Sequence, residues 1–565
     1  MVFSVFPVLL SAQGVLVHTE DQMNRGRTVS GSHIGVEAYS SIEPVYTYDT
    51  LLRTRYLLPE DIPAEQSVPF YPRVKRMRDG RTVMFWQGGQ HSSRIYCART
   101  ADLRNWDERV RLFGPEQKMV AGKKTWIRYM TADAVVLGSG EIVMAASFRS
   151  DRYAEGLGCG IVIRRSRYNG DWWDRPRVIY EGPNWEPYLI ELPDGRLQCY
   201  FTDADPATKN SGTSMIESFD GGFTWSSRKR VCRQFKYYDR QQKIFTDQMP
   251  CFRLLADGKT LFGILEARLE SGGPGTQSSY MMSAIWNDAY AWEDLGEDGE
   301  GPQTRKTNIF RGNGGYVTVF PSGEVAISAG IGGLLSVKIG DATAGSFNGR
   351  NWYSDWLQPF DRPGTWGTIE TVDPHHLVWA MDCQDGLLFG VGYLNHRIDA
   401  VRQTVDIDGD GREWDAEDAL FIGSESPVQA IFRASHDEDY VYVLAEVTGY
   451  VQGEEPVISM SLHDASAKKM APGSTISFSV GASGLAGSGT SGRNGSADGI
   501  TVCSRRGKTV AGKPGYVAEI SVPRKYVGSA DELCFWAETA CGRTKDTFTG
   551  SNSSKTETWQ RICLR

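Results

Sequence analysis

The chain has 565 residues, of which 40% are hydrophobic and 11% aromatic, and its formal net charge is −8. This length exceeds one ordinary core, so we expect one large domain and at least one more. The acidic balance and the lack of a basic cluster argue against nucleic acid or an anionic membrane surface as a partner. The 62 glycines and 16 tryptophans are typical of many short strands joined by tight turns.

The first segment, residues 1–14, is an apolar run that ends in small residues. This pattern predicts the remnant of a signal peptide, and therefore a protein that is secreted, periplasmic or held at the cell surface. No later stretch is apolar over the roughly 20 residues of a membrane helix, so we expect no membrane span.

The ten cysteines include no Cys-x-x-Cys pair, which disfavours zinc. Three of them fall within strand patterns, where a free buried thiol is the expected state: Cys97, Cys199 and Cys251. Two disulfides are left open, Cys534 with Cys541 across a hairpin and Cys503 with Cys563.

One pattern recurs along the first two thirds of the chain: an apolar strand, a two-residue turn ending in glycine, and a second apolar strand. The turn glycines are Gly80, Gly140, Gly195, Gly258 and Gly323. A sixth, weaker copy has Asp373-Pro374 at the turn. Such a repeat is the signature of an architecture built from similar units.

A second signal shares this period, a polar turn closed by tryptophan. Its full form is the Asp-box Ser218-Phe-Asp-Gly-Gly-Phe-Thr-Trp225, and looser copies end at Trp106, Trp173, Trp292 and Trp352. One period holds four strands and their turns, which is one propeller blade. The sequence therefore predicts an all-β fold with a six-bladed β-propeller over residues 30–395, resembling the sialidase-like propellers with Asp-box (BNR) repeats.

The composition changes after residue 396, and the strands continue without the blade turns. Residues 397–565 contain Asp408-Gly-Asp-Gly-Arg-Glu-Trp414, the strand Asp439-Tyr-Val-Tyr-Val-Leu-Ala-Glu-Val447 and the strand Gly515-Tyr-Val-Ala-Glu-Ile-Ser-Val-Pro523. In this order the segments resemble a family 9 carbohydrate-binding module. The resemblance implies a β-sandwich, which we expect to follow the propeller. The Gly/Ser-rich residues 481–499 predict a flexible loop.

The start of this second domain also matches a calcium loop. The matching residues are Asp406, Asp408, Asp410, Gly411 and Glu417, at positions 1, 3, 5, 6 and 12 of the pattern. Helical flanks are not evident, and the module resemblance explains Asp408 to Asp410 as a plain turn. A structural calcium therefore stays open, and we expect no cofactor to be needed for catalysis.

In a propeller the innermost strands converge on the axis, so residues at their openings face one pocket. These openings supply Arg73, Asp133, Glu186 and Asp247, and Glu266 closes the second strand of the fourth repeat. Carboxylates that converge with an arginine suit glycoside hydrolysis, which needs a nucleophile and an acid/base. We expect Arg73 and Asp133 to position hydroxyls and Asp247 to tune Glu266.

Two segments resemble the exo-arabinanases of glycoside hydrolase family 93. They are Asn184-Trp-Glu-Pro-Tyr188 with Cys199-Tyr-Phe-Thr-Asp203, and Gln248-Met-Pro-Cys-Phe252 with Gly263-Ile-Leu-Glu266. The resemblance implies a retaining exo-α-L-arabinofuranosyl hydrolase that degrades polysaccharide, with Glu186 as nucleophile and Glu266 as acid/base. The expected partner is an oligo- or polysaccharide, and the expected state is a monomer.

Two alternatives stay open. In an exo-α-sialidase or another acidic-sugar hydrolase, Arg73 takes the place of the first substrate-binding arginine. The acidic sugar is then held by Arg149, Arg152 and Arg268. Against this, the loop from Gln87 to Arg94 has no carboxylate to serve as proton donor, and His91 is its only substitute. The other alternative is a non-catalytic binding propeller, in which sugars stack on aromatic side chains, namely Trp185, Tyr188, Trp366 and Tyr153.

Overall fold

The structure is a computed structural model. It describes four short strands, Leu16–His18, Arg27–Thr28, Gly35–Glu37 and Arg55–Leu57, and then residues 69–565 with gaps. The gaps are 89–92, 104–105, 108, 205–210, 234–242, 272–278, 297–300, 303–304, 342–350, 353–355, 361–362, 384–385, 415–417, 423–427, 450–452, 471–472, 491–497, 510–513, 549–550 and 557–558. The predicted signal peptide lies outside the described residues.

The described chain is almost entirely β-structure, which confirms the all-β prediction. Its helical elements are three single 3-10 turns, Tyr153–Glu155, Gly411–Glu413 and Arg524–Tyr526. Among the described residues no helix is long and apolar enough to cross a membrane. The chain divides into two compact units, whose main spans are Thr54–Val391 and Gly392–Arg565.

Six antiparallel sheets precede residue 396, and they are here called sheets 1 to 6 in the chain order of their main strands. Sheet 1 contains Phe70–Arg76, Thr82–Gly88, Arg94–Thr100 and Val110–Phe113. Sheet 2 contains Glu116–Val120, Lys123–Val136, Ile142–Ser150, Cys159–Ser166 and Arg177–Glu181. Sheet 3 contains Asn184–Glu191, Leu197–Ala204, Ser211–Ser218, Lys229–Arg233 and Gly301–Pro302.

The remaining sheets follow the same plan. Sheet 4 contains Lys243–Leu254, Thr260–Ser271, Ser279–Asp288 and Arg305–Arg311. Sheet 5 contains Leu16–His18, Arg27–Thr28, Asn313–Val319, Glu324–Ile331, Leu334–Asp341, Asn351–Trp352 and Trp356–Gln358. Sheet 6 contains Gly35–Glu37, Arg55–Leu57, Gly364–Thr371, His376–Cys383 and Gly386–Asn395.

One strand of each sheet belongs to a central ring. These inner strands are Phe70–Arg76, Lys123–Val136, Asn184–Glu191, Lys243–Leu254, Asn313–Val319 and Gly364–Thr371. Each contacts the inner strand of the next sheet, and that of sheet 6 contacts that of sheet 1. The ring is therefore closed around one axis, and residues that open toward the axis from different sheets can meet.

Apolar packing between neighbouring sheets explains the near-continuous apolar strands. Along Ile142–Ser150 of sheet 2, Ile142 and Met144 belong to the buried cluster shared with sheet 1. Their neighbours Val143 and Ala145 belong to the cluster shared with sheet 3. Because successive side chains of a strand point to opposite faces, a strand between two sheets is apolar at every position.

The turn from Ser218 to Trp225 is held by its own side chains. The Asp220 carboxylate accepts hydrogen bonds from the main-chain N–H groups of Phe223 and Thr224. The Trp225 indole N–H donates to the carbonyl oxygen of Gly222 at 3.1 Å. The corresponding turn of sheet 2 repeats the second bond, from Trp173 to Gly170 at 3.0 Å. These hydrogen bonds stabilise the two turns.

The second unit is built from two sheets around one core. One contains Val457–Asp464, Thr475–Gly481, Gly484–Thr490, Glu532–Cys541, Thr544–Thr547 and Gln560–Leu564. The other contains Leu420–Ile422, Gln429–His436, Tyr440–Thr448, Thr501–Lys508 and Pro514–Pro523. The strand Arg397–Arg402 joins both, running parallel to Gln560–Leu564 and to Gln429–His436.

The structure contradicts the disulfides left open for this unit and part of its predicted loop. Cys534 and Cys541 lie on one strand, Glu532–Cys541, so they do not face each other across a hairpin, and none of the ten cysteines forms a disulfide. The predicted loop of residues 481–499 contains the strand Gly484–Thr490, which pairs with Thr475–Gly481. The small residues that indicated flexibility here pair in a sheet, because main-chain hydrogen bonding does not require large side chains.

Candidate active site

Every inner strand carries a β-bulge at an equivalent place. In sheet 1 the register shifts between Phe70 and Arg73, and corresponding shifts occur in the other five sheets. At each bulge one residue has a positive φ, between 45° and 58°. We call these six the rim residues: Tyr71, Thr131, Glu186, Met249, Gly314 and Trp366. Each sheet thus contributes one residue to the rim, and in five of the six sheets this residue carries a side chain.

Hydrogen bonds from the neighbouring sheet hold the rim in this conformation. The main-chain N–H of Thr131 donates to the Gln87 side chain at 2.6 Å, and that of Met249 donates to the Thr202 hydroxyl at 2.8 Å. The N–H of Gly314 donates to Oε2 of Glu266 at 2.6 Å. Five of the rim residues avoid positive φ when unconstrained. The unusual backbone of Glu186 is therefore part of the ring's architecture and does not by itself mark a reacting group.

A small cavity lies against the rim and the next layer of side chains. Three rim residues line it, Tyr71, Glu186 and Met249. Its remaining lining consists of Arg73, Asp133, Pro187, Tyr188, Pro250, Cys251, Gly315 and Tyr316. The predicted residues Arg73, Asp133, Glu186 and Tyr188 are thus brought together at one cavity on the axis.

Glu186 is half-buried in this cavity, and its Oε2 accepts a hydrogen bond from the Thr202 hydroxyl at 2.7 Å. Burial and the charge of Glu266 raise the pKa of Glu186 to about 7, although Thr202, Arg149 and Arg73 act in the opposite direction. Near neutral pH this carboxyl can therefore both give and take a proton. Such matching of pKa to working pH is what a general acid/base needs.

Glu266 comes from the neighbouring sheet 4 and is 4% exposed. Its Oε1 accepts a hydrogen bond from the Gln248 amide at 2.7 Å, and its Oε2 accepts the Gly314 N–H. Both oxygens thus accept from N–H donors, which suits an ionised carboxylate. Its electrostatic effect on Glu186 shows that the two predicted carboxyls lie within interaction range.

The floor of the cavity is an ion-pair network around Asp133, which is 3% exposed. Lys75 Nζ lies 2.9 Å from Oδ1 of Asp133 and donates to the Tyr316 hydroxyl at 2.6 Å. The Tyr316 hydroxyl in turn donates to Oδ2 of Asp133 at 2.7 Å. Arg73 lies 4.0 Å from Oδ2. Both oxygens of Asp133 are thus committed to protein partners.

Sequence reasoning missed Lys75, Tyr316 and Thr202. A signal for the first two exists in the repeat itself. Arg73, Asp133 and Tyr316 each follow the rim residue of their strand by two positions, and Lys75 follows by four, so alignment of the repeats on the rim places all of them on the axis. Thr202 lies on the strand Leu197–Ala204 beside the rim, and its position in the repeat does not distinguish it from other strand residues.

Arg149 lies beside Glu186 and is 7% exposed. Its guanidinium group lies over the rings of Trp185 and Tyr153, and one Nη donates to the Asn184 carbonyl oxygen at 2.5 Å. Among the described residues no carboxylate forms a salt bridge with it, and its Nε has no hydrogen-bond partner. Burial lowers its pKa to about 10.

The other predicted residues are either buried or have side chains outside the described residues. Tyr188 is buried and its hydroxyl donates to the Phe252 carbonyl oxygen at 2.7 Å, so it forms part of the floor. Asp247 is fully buried on the strand before the bulge of sheet 4. Arg268 lies on the strand Thr260–Ser271, but its side chain is outside the described residues, as is the whole of His91.

In the second unit the predicted calcium loop is a turn held by Glu519. Its carboxylate accepts the N–H groups of Asp408 at 2.9 Å and Gly409 at 2.7 Å, and the Trp414 indole N–H at 2.9 Å. Asp410 pairs with Arg412. The described residues contain no group of three metal-ligating side chains. The calcium site, which includes Asp406, stays a prediction because Glu417 lies outside the described residues.

No protein-family model and no curated protein sequence matches the chain. Solved structures do resemble it. A protein of unknown function from Dyadobacter fermentans aligns with 60% of this chain and 99% of its own, at 14% identity and a TM-score of 0.41. A Hadza microbial sialidase aligns with 58% of this chain and 66% of its own, at 14% identity and a TM-score of 0.40. The match leaves part of that sialidase uncovered.

A third neighbour matches a shorter part of the chain. It is a family 9 carbohydrate-binding module from Caldicellulosiruptor kristjanssonii, solved with cellotriose. It aligns with 30% of this chain and 93% of its own, at 15% identity and a TM-score of 0.24.

Proposed function

We propose that the protein is a secreted, retaining, exo-acting glycoside hydrolase whose reaction is carried out by Glu186 and Glu266. The supporting observation is a pair of carboxyls on neighbouring sheets in contrasting environments, one half-buried at the cavity with a pKa near 7 and one held by two N–H donors. Two carboxyls in contrasting environments are how glycosidases divide the acid and nucleophile roles.

The two carboxyls take these roles in a double displacement. Glu266, as the carboxylate, attacks the anomeric carbon while Glu186 gives its proton to the departing glycosidic oxygen. Glu186 then takes a proton from water, which attacks the same carbon and releases Glu266. This assignment reverses the one implied by the family 93 resemblance, in which Glu186 is the nucleophile. The reversal rests on the hydrogen bonds at the two carboxyls together with the raised Glu186 pKa.

The scaffold belongs to the same proposal. Residues 30–395 form a six-bladed β-propeller with Asp-box turns that carries the site, and residues 397–565 form a β-sandwich like a family 9 carbohydrate-binding module. An oligo- or polysaccharide is the partner, and α-L-arabinofuranosyl units are the first candidates for the sugar released.

A substrate screen tests the function directly. The full chain is incubated with aryl α-L-arabinofuranosides, aryl sialosides, aryl uronides and plant and host polysaccharides, and released sugar is measured. Glu186→Gln and Glu266→Gln are the test variants, and Glu191→Gln, at the far end of the Glu186 strand, is the matched control. Hydrolysis that is lost in both test variants and kept in the control supports the proposal. Full activity in both test variants contradicts the proposal.

The pH dependence gives a second prediction. Because Glu186 must be protonated to act as the acid, we expect kcat/KM to fall on the alkaline side with an apparent pKa near 7. Glu266→Gln removes the charge that raises this pKa, so the Glu186 pKa should move to lower pH. The shift is read from the ¹³Cδ signal that disappears in Glu186→Gln. An unmoved signal in Glu266→Gln contradicts the coupling between the two carboxyls.

A second candidate, hydrolysis of an acidic sugar, is favoured by Arg149. This arginine is buried beside Glu186 without a salt-bridge partner among the described residues. A buried charge without a counter-ion is costly, and a carboxylate on the substrate offsets that cost. Under this candidate Arg149→Met lowers kcat/KM for an aryl uronide or sialoside at least about tenfold, on the order of one charge-assisted hydrogen bond, and spares neutral glycosides. The control is Arg152→Met, whose guanidinium pairs with Glu155.

A further inference from the structure

We propose that Trp366 is the aromatic platform on which the sugar ring at the scissile bond stacks. This inference rests on the proposed function and adds the binding surface that the two carboxyls lack. It commits to one ligand chemistry, the apolar C–H face of a sugar ring, which pairs with the face of an indole.

The first argument is the position of Trp366 in the ring. The inner strands contact one another in cyclic order, and each presents one rim residue at the same level. Glu186 is the third rim residue and Trp366 is the sixth. In a closed ring of six, the third and sixth positions lie opposite each other. A ligand on the axis therefore has the Glu186 carboxyl on one side and the indole on the other.

The second argument is exposure. Trp366 is 42% exposed, whereas the rim residues Tyr71, Thr131 and Met249 are each 5% exposed. The rim thus has a single large exposed aromatic side chain. An exposed apolar ring of this size, next to the cavity-lining Tyr71, favours burial by a ligand, since covering apolar surface is stabilising.

The third argument is that the tryptophan is held in place. Its backbone has a φ of 45°, fixed by the bulge of sheet 6, and Arg73 donates a hydrogen bond to its carbonyl oxygen at 3.1 Å. Its ring lies 6.3 Å from that of Tyr71 and 6.5 Å from that of Phe70. Because little side-chain freedom is left to lose, stacking on this ring costs less entropy than stacking on a mobile side chain.

The neighbouring rim position keeps the platform open. A Cβ atom added to Gly314 would lie 3.4 Å from both Cα and Cδ1 of Trp366. Gly314 also gives its N–H to Glu266. Gly314 therefore lies between the indole and the second carboxyl, and a larger side chain at this position would cover the indole.

The test uses the full chain in two assays. Hydrolysis of aryl glycosides is followed kinetically, and binding of L-arabinose, D-galacturonic acid and N-acetylneuraminic acid is followed by saturation-transfer NMR. We expect Trp366→Ala to raise KM about tenfold or more with a smaller change in kcat, and Trp366→Phe to stay within about threefold, because an aromatic face remains. The control is Trp172→Ala, which is 55% exposed in the turn at the opposite end of sheet 2.

The outcomes separate the platform from the chemistry. If the wild type hydrolyses a substrate and Trp366→Ala has an unchanged KM, the stacking role of Trp366 is contradicted and the hydrolase proposal is supported. If the wild type hydrolyses nothing but binds a sugar that Trp366→Ala does not bind, the stacking role is supported and the hydrolase proposal is contradicted. If the wild type neither binds nor hydrolyses any probe, both are wrong. Should Trp366→Ala fail to fold, Trp366→Leu keeps the apolar volume and removes only the aromatic face.

Discussion

Azide should restore activity to Glu186→Ala and give a glycosyl azide with the same anomeric configuration as the substrate. Without its acid/base, a retaining enzyme still forms the glycosyl-enzyme on an aryl glycoside with a good leaving group, but cannot activate water to release it. Azide needs no general base. It attacks the anomeric carbon of the glycosyl-enzyme from the face that the leaving group occupied, so the configuration of the substrate is retained. We expect kcat without azide to fall on the order of a thousandfold, within the range for loss of general acid/base catalysis.

Glu266→Ala should behave differently, since azide then attacks the substrate directly in place of the missing nucleophile. The product is a glycosyl azide of inverted configuration, which ¹H NMR distinguishes by its anomeric coupling. Glu191→Ala is the control and should make no azide product. If instead Glu186→Ala gave the inverted azide and Glu266→Ala the retained one, Glu186 would be the nucleophile and Glu266 the acid/base, as the family 93 resemblance implies.

Asp133→Ala should lower the free energy of unfolding by about 3 to 5 kcal/mol, the usual cost of removing one partner from a buried ion pair. The substitution leaves Lys75, 4% exposed, without the carboxylate at 2.9 Å, and removes the acceptor of the Tyr316 hydroxyl bond. The effect is measured as the shift of the guanidinium unfolding transition, followed by tryptophan fluorescence. A loss below about 1 kcal/mol contradicts a tightly coupled network.

A double-mutant cycle separates the charge from the packing. Lys75→Met with Asp133→Leu replaces the pair by apolar groups of similar volume, and replacing both partners of a buried pair is often close to neutral. We therefore expect the double variant to be more stable than Asp133→Ala alone. Equal loss in both variants would mean that packing, and not the uncompensated charge of Lys75, sets the cost.

The repeated strands were predictable because their pattern is local. The turn glycines Gly80, Gly140, Gly195, Gly258 and Gly323 each follow the rim residue of their sheet by nine positions. Their period therefore fixes the register of five sheets. The bulges were not predictable, because five of the six are held by a side chain from the preceding sheet, such as Gln87 on Thr131. Contacts of this kind leave no mark in the spacing of either strand.

The residues of the candidate site likewise include some that the sequence predicts and some that it does not. Arg73, Asp133 and Glu186 could be found at strand openings, since charged residues there interrupt an apolar pattern. Lys75 and Tyr316 could not be assigned, because a lysine or tyrosine in a strand is ordinary until the strands meet at the axis. The pKa of Glu186 also depends on Glu266 from the next sheet, so sequence alone does not reveal it.

The bulge conformation is shared by side chains as different as threonine, glutamate, methionine, glycine and tryptophan. The backbone at the rim thus does not depend on which residue occupies it. Four rim positions, Tyr71, Thr131, Met249 and Trp366, thus offer side chains to the axis beside the proposed acid/base Glu186 and the side-chain-free Gly314. A change of substrate can arise from single substitutions at these four positions, and a library limited to their codons should alter specificity without loss of folding.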